Sequence, residues 1–195
     1  MKILIVSDKE VPNLQEDAGN NILQGIDCII SCGDLRSSYL NSLSQRANAP
    51  LFYVAGNHDF HYKYERPKGT NLDTRIVTFN NLRLVGFEGS IRYNHKLYQY
   101  TEKEMYKRVK GIRRKLFFNP HLDIVVTHAP PEGLYENVDD CHRGFQTYRK
   151  FIEKYQPKFF LHGHYHLEYG LNIEREHTIG KTKVINCVGY YLLEL

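Results

Sequence analysis

Tryptophan is absent from the 195 residues, methionine occurs twice, and the four cysteines stand at 28, 32, 141 and 187 with no pair at CxxC spacing. Thiols scattered this way support neither a disulfide scaffold nor a zinc ribbon, and a reducing cytoplasm is the expected location. Missing too is any apolar run long enough to span a bilayer. The chain enters directly on MKILIVSD, without the basic start and apolar core of a signal segment, so neither export nor membrane insertion is expected. Nor does one sign of charge dominate: 26 Lys+Arg against 22 Asp+Glu leaves +4, spread along the chain. That balance accommodates an anionic substrate and gives little footing for a long nucleic acid. No repeat, low-complexity tract or Pro/Gly/Ser linker interrupts, and 1–195 read as a single domain.

What is present is a series of short apolar runs at 3–6, 28–31, 51–54, 124–127 and 159–161, each ending in a polar cluster. Runs this short and without alternation predict strands covered on both faces, with helices packed outside a sheet. Helices are predicted over 39–47 and 145–155, and an exposed amphipathic helix over 101–118, whose basic C-terminal half suits the helix dipole. A second group of strand-like runs, 75–79, 82–87, 171–175, 184–186 and 190–193, predicts a second, partly antiparallel sheet, with Asn80-Asn81 as hairpin turn. The fold class is therefore α/β (α+β), with mixed sheets and flanking helices.

Five short elements place metal-type ligands directly after predicted strands: Asp8 with Glu10, Gly33-Asp34, Gly56-Asn57-His58-Asp59, Thr127-His128, and His162-Gly163-His164-Tyr165-His166. Any one alone also fits an ordinary polar turn. Together they can converge, because in open α/β sheets the ligand crevice lies outside the carboxyl ends of the strands. Carboxylates, an amide oxygen and imidazoles suit divalent manganese, iron, zinc or magnesium, and a carboxylate can bridge two such ions.

In their order these elements resemble the signature D-x-H, GD, GNH[D/E], H and GHxH of the calcineurin-like metallophosphoesterase superfamily. The resemblance implies two packed mixed β-sheets in a four-layer α-β-β-α sandwich, two divalent metal ions, and a small phosphate ester as substrate. It assigns Asp8, Glu10, Asp34 and His166 to one metal, and Asp34, Asn57, His128 and His164 to the other. His58 falls on the leaving-group side, with Asp59 orienting its ring. The family has His where this chain has Glu10, and a carboxylate there favours a harder ion such as manganese.

The GNHD form, without an Arg-Gly pair after GD, resembles phosphodiesterases more than protein phosphatases, and a nucleotide-type diester is one expected substrate. Phosphomonoester hydrolysis and a non-catalytic scaffold are the alternatives. Arg36, two residues beyond Asp34, is either a bidentate phosphate contact or half of a surface ion pair. His61, His142 and His162 read as structural, with a supporting role near the site as the other reading for the last two. The tyrosines read mainly as packing, and the loops 88–100 and 130–143 are expected to wall the pocket.

Overall fold

A computed structural model describes residues 1–16, 20–94, 96–135, 139–166 and 174–195, the side chain of Asn20 excepted. The predicted strand 171–175 falls largely outside the described residues. The strands are β1 (Lys2–Ser7), β2 (Cys28–Ser31), β3 (Leu51–Tyr53), β4 (Thr70–Asn71), β5 (Ile76–Phe79), β6 (Leu82–Phe87), β7 (Ser90–Ile91), β8 (Gln99–Tyr100), β9 (Ile124–Thr127), β10 (Phe159–His162), β11 (Glu176–Ile179), β12 (Thr182–Asn186) and β13 (Gly189–Glu194). The helices are α1 (Pro12–Gln15), α2 (Asn20–Leu23), α3 (Ser37–Ala47), α4 (Glu102–Lys115) and α5 (Gln146–Tyr155).

Two large sheets carry the fold, one ordered β13-β1-β2-β3-β4 and the other β11-β12-β10-β9-β6-β5, with β7 and β8 paired apart from both. In β1 every residue after Lys2 is buried, because α-helices cover one face and the second sheet covers the other. Ile3, Ile5, Ile30 and Phe52 of the first sheet meet Leu84, Ile124, Val126, Leu161 and Ile185 of the second. Each such side chain contributes on the order of 1.5–3 kcal/mol by leaving water. Outside, Leu40 and Leu43 of α3 pack on the first sheet, while Met105, Val109 and Ile112 of α4 and Phe151 and Ile152 of α5 pack on the second. The four layers expected are the four observed.

The partition of strands differs from the sequence reading. β9 and β10 belong to the second sheet, where they run parallel to β6 and β12, and β13 pairs antiparallel with β1 in the first. Apolar content gives a strand's burial but not its partner, which the crossovers through helices decide. The Asn80-Asn81 turn behaves as expected, with φ of 45° and 65° at the two positions, the left-handed pair of a tight hairpin between β5 and β6.

Local chemistry also fixes the helices. Thr101 Oγ1 accepts from Glu104 N at 3.3 Å and the Glu104 carboxylate accepts from Thr101 N at 2.8 Å, a reciprocal cap that starts α4. Most of its basic residues face water as predicted. Arg108 turns inward instead, 2.6 Å from the Asp73 carboxylate and over the ring of Tyr100. No helix among the described residues is long and apolar enough to cross a membrane.

Candidate metal centre

The carboxyl ends of β1, β2 and β3 in one sheet and of β9 and β10 in the other open onto the same edge. Asp8 follows β1, Asp34 follows β2, Asn57 to Asp59 follow β3, His128 follows β9, and His164 and His166 follow β10. Hydrogen bonds fix the turns here: Gly163 N donates to His128 O at 3.0 Å within the second sheet, and His164 N reaches across to the first, donating to both carboxylate oxygens of Asp8 at 3.0 and 3.1 Å. Asp8, Asp34 and His164 hold left-handed backbones, with φ of 62°, 57° and 66°. Such conformations cost on the order of 1–3 kcal/mol each and cluster where function requires a side chain aimed against local preference.

His128 is fully buried and sits at the focus. Its Nδ1–H donates to the Cys32 carbonyl at 2.9 Å, which leaves Nε2 facing Asn57 Oδ1 at 2.8 Å, His164 Nδ1 at 3.1 Å and Asp34 Oδ2 at 3.3 Å. His164 is fixed in the same way: its Nε2–H donates to the Cys141 carbonyl at 2.8 Å, so Nδ1 presents a lone pair. Lone pairs from two imidazoles, an amide and a carboxylate thus converge. One proton on His128 Nε2 can satisfy only one acceptor at a time.

The electrostatics follow. Burial opposes charge on His128, yet the Asp34 and Asp8 carboxylates lift it to about 9. Burial pushes Asp34 upward, and the charge of His128 more than reverses this, to about 2. His164 is driven down to about 3 by burial and by His128. Asp8 is raised, by burial first, with His128 opposing and Asp34 adding to the rise. In the metal-free chain a proton on His128 therefore stands where a cation would satisfy every donor at once.

The donor set fits a divalent cation. Ligand atoms of Asp8, Asp34 and His128 lie within 4.8 Å of one another, Asn57 and His164 face the same point, and His166 Nε2 is 3.7 Å from Asp8 Oδ1. Oxygen and imidazole donors of this kind suit manganese, iron, zinc or magnesium. The cradle is tight: a methyl group on Gly56 would collide with the Asp34 carboxylate, and one on Gly163 with Ser7 Oγ and the Asp8 carboxylate. Ser7 Oγ donates to Asp8 Oδ2 at 2.5 Å and holds its aim.

Two expected ligands and contacts meet each other rather than the cluster. Glu10 Oε1 accepts from Arg36 Nε at 2.7 Å and its other oxygen accepts from Arg36 Nη2, a bidentate ion pair that also holds the Glu10 carboxyl below its usual range. Both oxygens of Glu10 are thus engaged by Arg36, Glu10 is not among the ligand atoms of Asp8, Asp34 and His128 that lie within 4.8 Å of one another, and Arg36 takes the ion-pair reading. Asp59 also acts differently from expectation. Its Oδ2 accepts backbone N–H bonds from Asp34 and Gly56, both at 2.8 Å, and the ring nearest its other oxygen is that of His61, at 4.0 Å, not that of His58. It braces the two turns that carry ligands. His58 is exposed at the mouth, tethered by its backbone N–H to Asp34 Oδ1 at 2.7 Å.

Sequence reasoning missed the supports. Tyr93 Oη accepts from Asn57 Nδ2 at 3.0 Å and so turns the amide oxygen toward His128. The Cys32 and Cys141 carbonyls set the tautomers of His128 and His164. A backbone carbonyl leaves no residue signature, and only the position of Cys32 next to Gly33-Asp34 pointed that way. His162 is buried, donates through Nδ1 to Gly163 O at 2.9 Å and faces Tyr135 Oη at 3.3 Å. Burial drives it down to about 4.

Comparison with known proteins matches residues 1–168 to the calcineurin-like phosphoesterase family. UPF0046 protein K07C11.7 of Caenorhabditis elegans is 20% identical over 200 residues, an alignment covering 88% of this chain and 65% of that protein. The chain thus spans just under two thirds of the length of that relative. The crystal structure of TT1561 of Thermus thermophilus superposes with a TM-score of 0.66 at 17% identity, over 96% of this chain and 89% of that one, a likeness of fold.

Proposed function

Because the chain belongs to the calcineurin-like phosphoesterase family, we propose that it hydrolyses a phosphate ester, and specifically a small phosphodiester, with two divalent cations held around His128. Asp8 and His166 would hold one ion, Asn57, His128 and His164 the other, and Asp34 would bridge. Bound there, manganese or a similar ion supplies Lewis acidity toward a phosphoryl oxygen and lowers the pKa of an attacking water. The observation that carries this reading is the set of lone pairs converging on His128 Nε2.

The chain's own residues do the rest. The Cys32 and Cys141 carbonyls and the Tyr93 hydroxyl keep the nitrogen and oxygen donors aimed, so no reorganisation is needed as charge develops. Asp59 holds the turns of Asp34 and Gly56 rigid. His58, exposed beside Asp34, would give a proton to the departing ester oxygen from Nδ1 or Nε2.

The preference for a diester rests on charge. A monoester brings two negative charges to a mouth already lined by carboxylates. The guanidinium that would grip them, Arg36, is occupied by Glu10. A diester brings one charge and needs no such grip. A nucleotide-type diester is the first class to try.

The test is hydrolysis of bis-p-nitrophenyl phosphate and p-nitrophenyl phosphate by metal-stripped protein with manganese, magnesium, zinc or iron restored. Turnover that needs metal, favours the diester and is lost in Asp34→Asn and His58→Ala is the expected result. Turnover confined to the monoester would overturn the diester preference. Folded, metal-loaded protein without turnover on either would leave the fold as a binding scaffold.

A further inference from the structure

The loop leaving His128 carries a second set of donors. Asp139, Cys141 and His142 bring a carboxylate oxygen, a thiol and a ring nitrogen within 4.8 Å of one another. Cys141 Sγ lies 3.1 Å from Asp139 Oδ1 and 3.2 Å from His142 Nδ1, and that nitrogen lies 2.6 Å from the same oxygen. The backbone N–H of His142 also donates to Asp139 Oδ1 at 3.0 Å, so the carboxylate is already turned toward the other two. All four cysteines are free, and three of them are buried; Cys141 alone is partly open to solvent.

We propose that Asp139, Cys141 and His142 form a mononuclear site for a thiophilic divalent cation of the zinc class, separate from the ligand set around His128. The donors decide the class. Sulfur, imidazole and carboxylate together select zinc-like ions, whereas the oxygen and nitrogen donors around His128 accept harder ones as well. The dimensions agree. A tetrahedral ion bonded at about 2.0–2.3 Å holds its donors about 3.3–3.6 Å apart, so binding spreads the trio by roughly half an ångström. A surface loop can make that adjustment. Three protein ligands leave a fourth position, and with Asp139 exposed that position faces water. As the ion binds, the thiol proton leaves to solvent and sulfur binds as thiolate.

The site has a direct route to the other centre. The Cys141 carbonyl is the acceptor that fixes His164 Nε2–H at 2.8 Å, and the His142 and His164 rings lie 4.9 Å apart, inclined by 35°. An ion drawing Cys141, Asp139 and His142 around itself moves or pins the carbonyl on which His164 rests. Thiophilic metal thereby acts on the orientation of a ligand at the first centre.

Cobalt(II) separates this site from the first by spectroscopy alone, without any hydrolysis assay, so its outcome is independent of the phosphoesterase reading. Metal-stripped protein titrated with cobalt should develop a thiolate-to-cobalt charge-transfer band in the near ultraviolet, which oxygen and nitrogen ligands do not give. The band should survive Asp34→Asn, vanish in Cys141→Ser, and need at least about tenfold more cobalt in His142→Ala, with folding of each variant checked by circular dichroism. Absence of the band when equilibrium dialysis shows cobalt bound would overturn the proposal. So would a band that persists in Cys141→Ser or an unchanged cobalt requirement in His142→Ala.

Discussion

Replacing Asp59 by asparagine should change how the stability of the metal-stripped protein depends on pH. The Asp59 carboxyl is 1% exposed, and burial, reinforced by the neighbouring Asp34 carboxylate, raises it from 3.8 to about 7. A carboxyl whose folded pKa lies above its unfolded one binds its proton more tightly when folded. The stability it lends is therefore present at low pH and lost as pH rises from the unfolded value through the folded one. Integrated from about pH 5 to about pH 8 at 1.36 kcal/mol per pKa unit, the loss is roughly 2–3 kcal/mol.

An asparagine carries no such proton-linked loss. Its oxygen can accept the two N–H bonds that Asp59 Oδ2 now takes from Asp34 and Gly56. Its amide nitrogen would occupy the place of Oδ1, a buried atom with no hydrogen-bond partner among the described residues. That nitrogen costs on the order of 1–3 kcal/mol, but at every pH alike. The variant should therefore gain roughly 2–3 kcal/mol on the wild type between about pH 5 and about pH 8, whatever its absolute stability. Urea unfolding with chelator present, followed by circular dichroism across that range, reads the difference. Parallel stability profiles for the two proteins would refute the reasoning.

Cation binding at neutral pH should expel about one proton per molecule from His128, whose folded value near 9 keeps it charged until an ion takes its place. Affinity then rises with pH up to that value, and calorimetry in buffers of differing ionisation enthalpy measures the release; heats independent of buffer would contradict it. Gly163→Ala should destabilise the chain by about 1–3 kcal/mol, since the new methyl group would press on Ser7 Oγ and the Asp8 carboxylate. The same variant should weaken manganese binding in equilibrium dialysis, and unchanged stability and affinity together would show that the cradle yields freely.

How much of this was legible in the sequence depended on the kind of information required. β1, β2, β3, β9 and β10 lie where apolar runs end in polar clusters, and the ligands follow those runs because a strand end is where a chain can turn and present side chains. Which sheet β9, β10 and β13 would join was not legible, because pairing is settled by crossovers and by helices packing from outside. At the site, Asp8, Asp34, Asn57, His128 and His164 announced themselves by residue type, and the structure draws them together. Glu10 and Arg36 each read as site residues, but a carboxylate and a guanidinium within reach satisfy each other first. Tyr93 and the carbonyls of Cys32 and Cys141 were silent, since a hydrogen bond from loop or backbone depends on where the chain passes and not on a pattern.

Three carboxyls, Asp8, Asp34 and Asp59, sit at one mouth with His128 as the buried cation against them. A core selected for stability alone would not place them so, since burial raises Asp8 and Asp59 and erodes folding free energy as pH rises, while the charge of His128 is what holds Asp34 down. A divalent ion would neutralise Asp8 directly, relieve Asp59 through the lowered repulsion from Asp34, and take over from His128 the pairing of Asp34. Left-handed backbones at Asp8, Asp34 and His164 add to the same account. Buried carboxyls and left-handed ligand backbones are therefore combined around His128, beside the two sheets that hold it. A cation that bound the folded chain and not the unfolded one would stabilise it by mass action, so the carboxyls that weaken the fold without a cation would tie folding to cation binding.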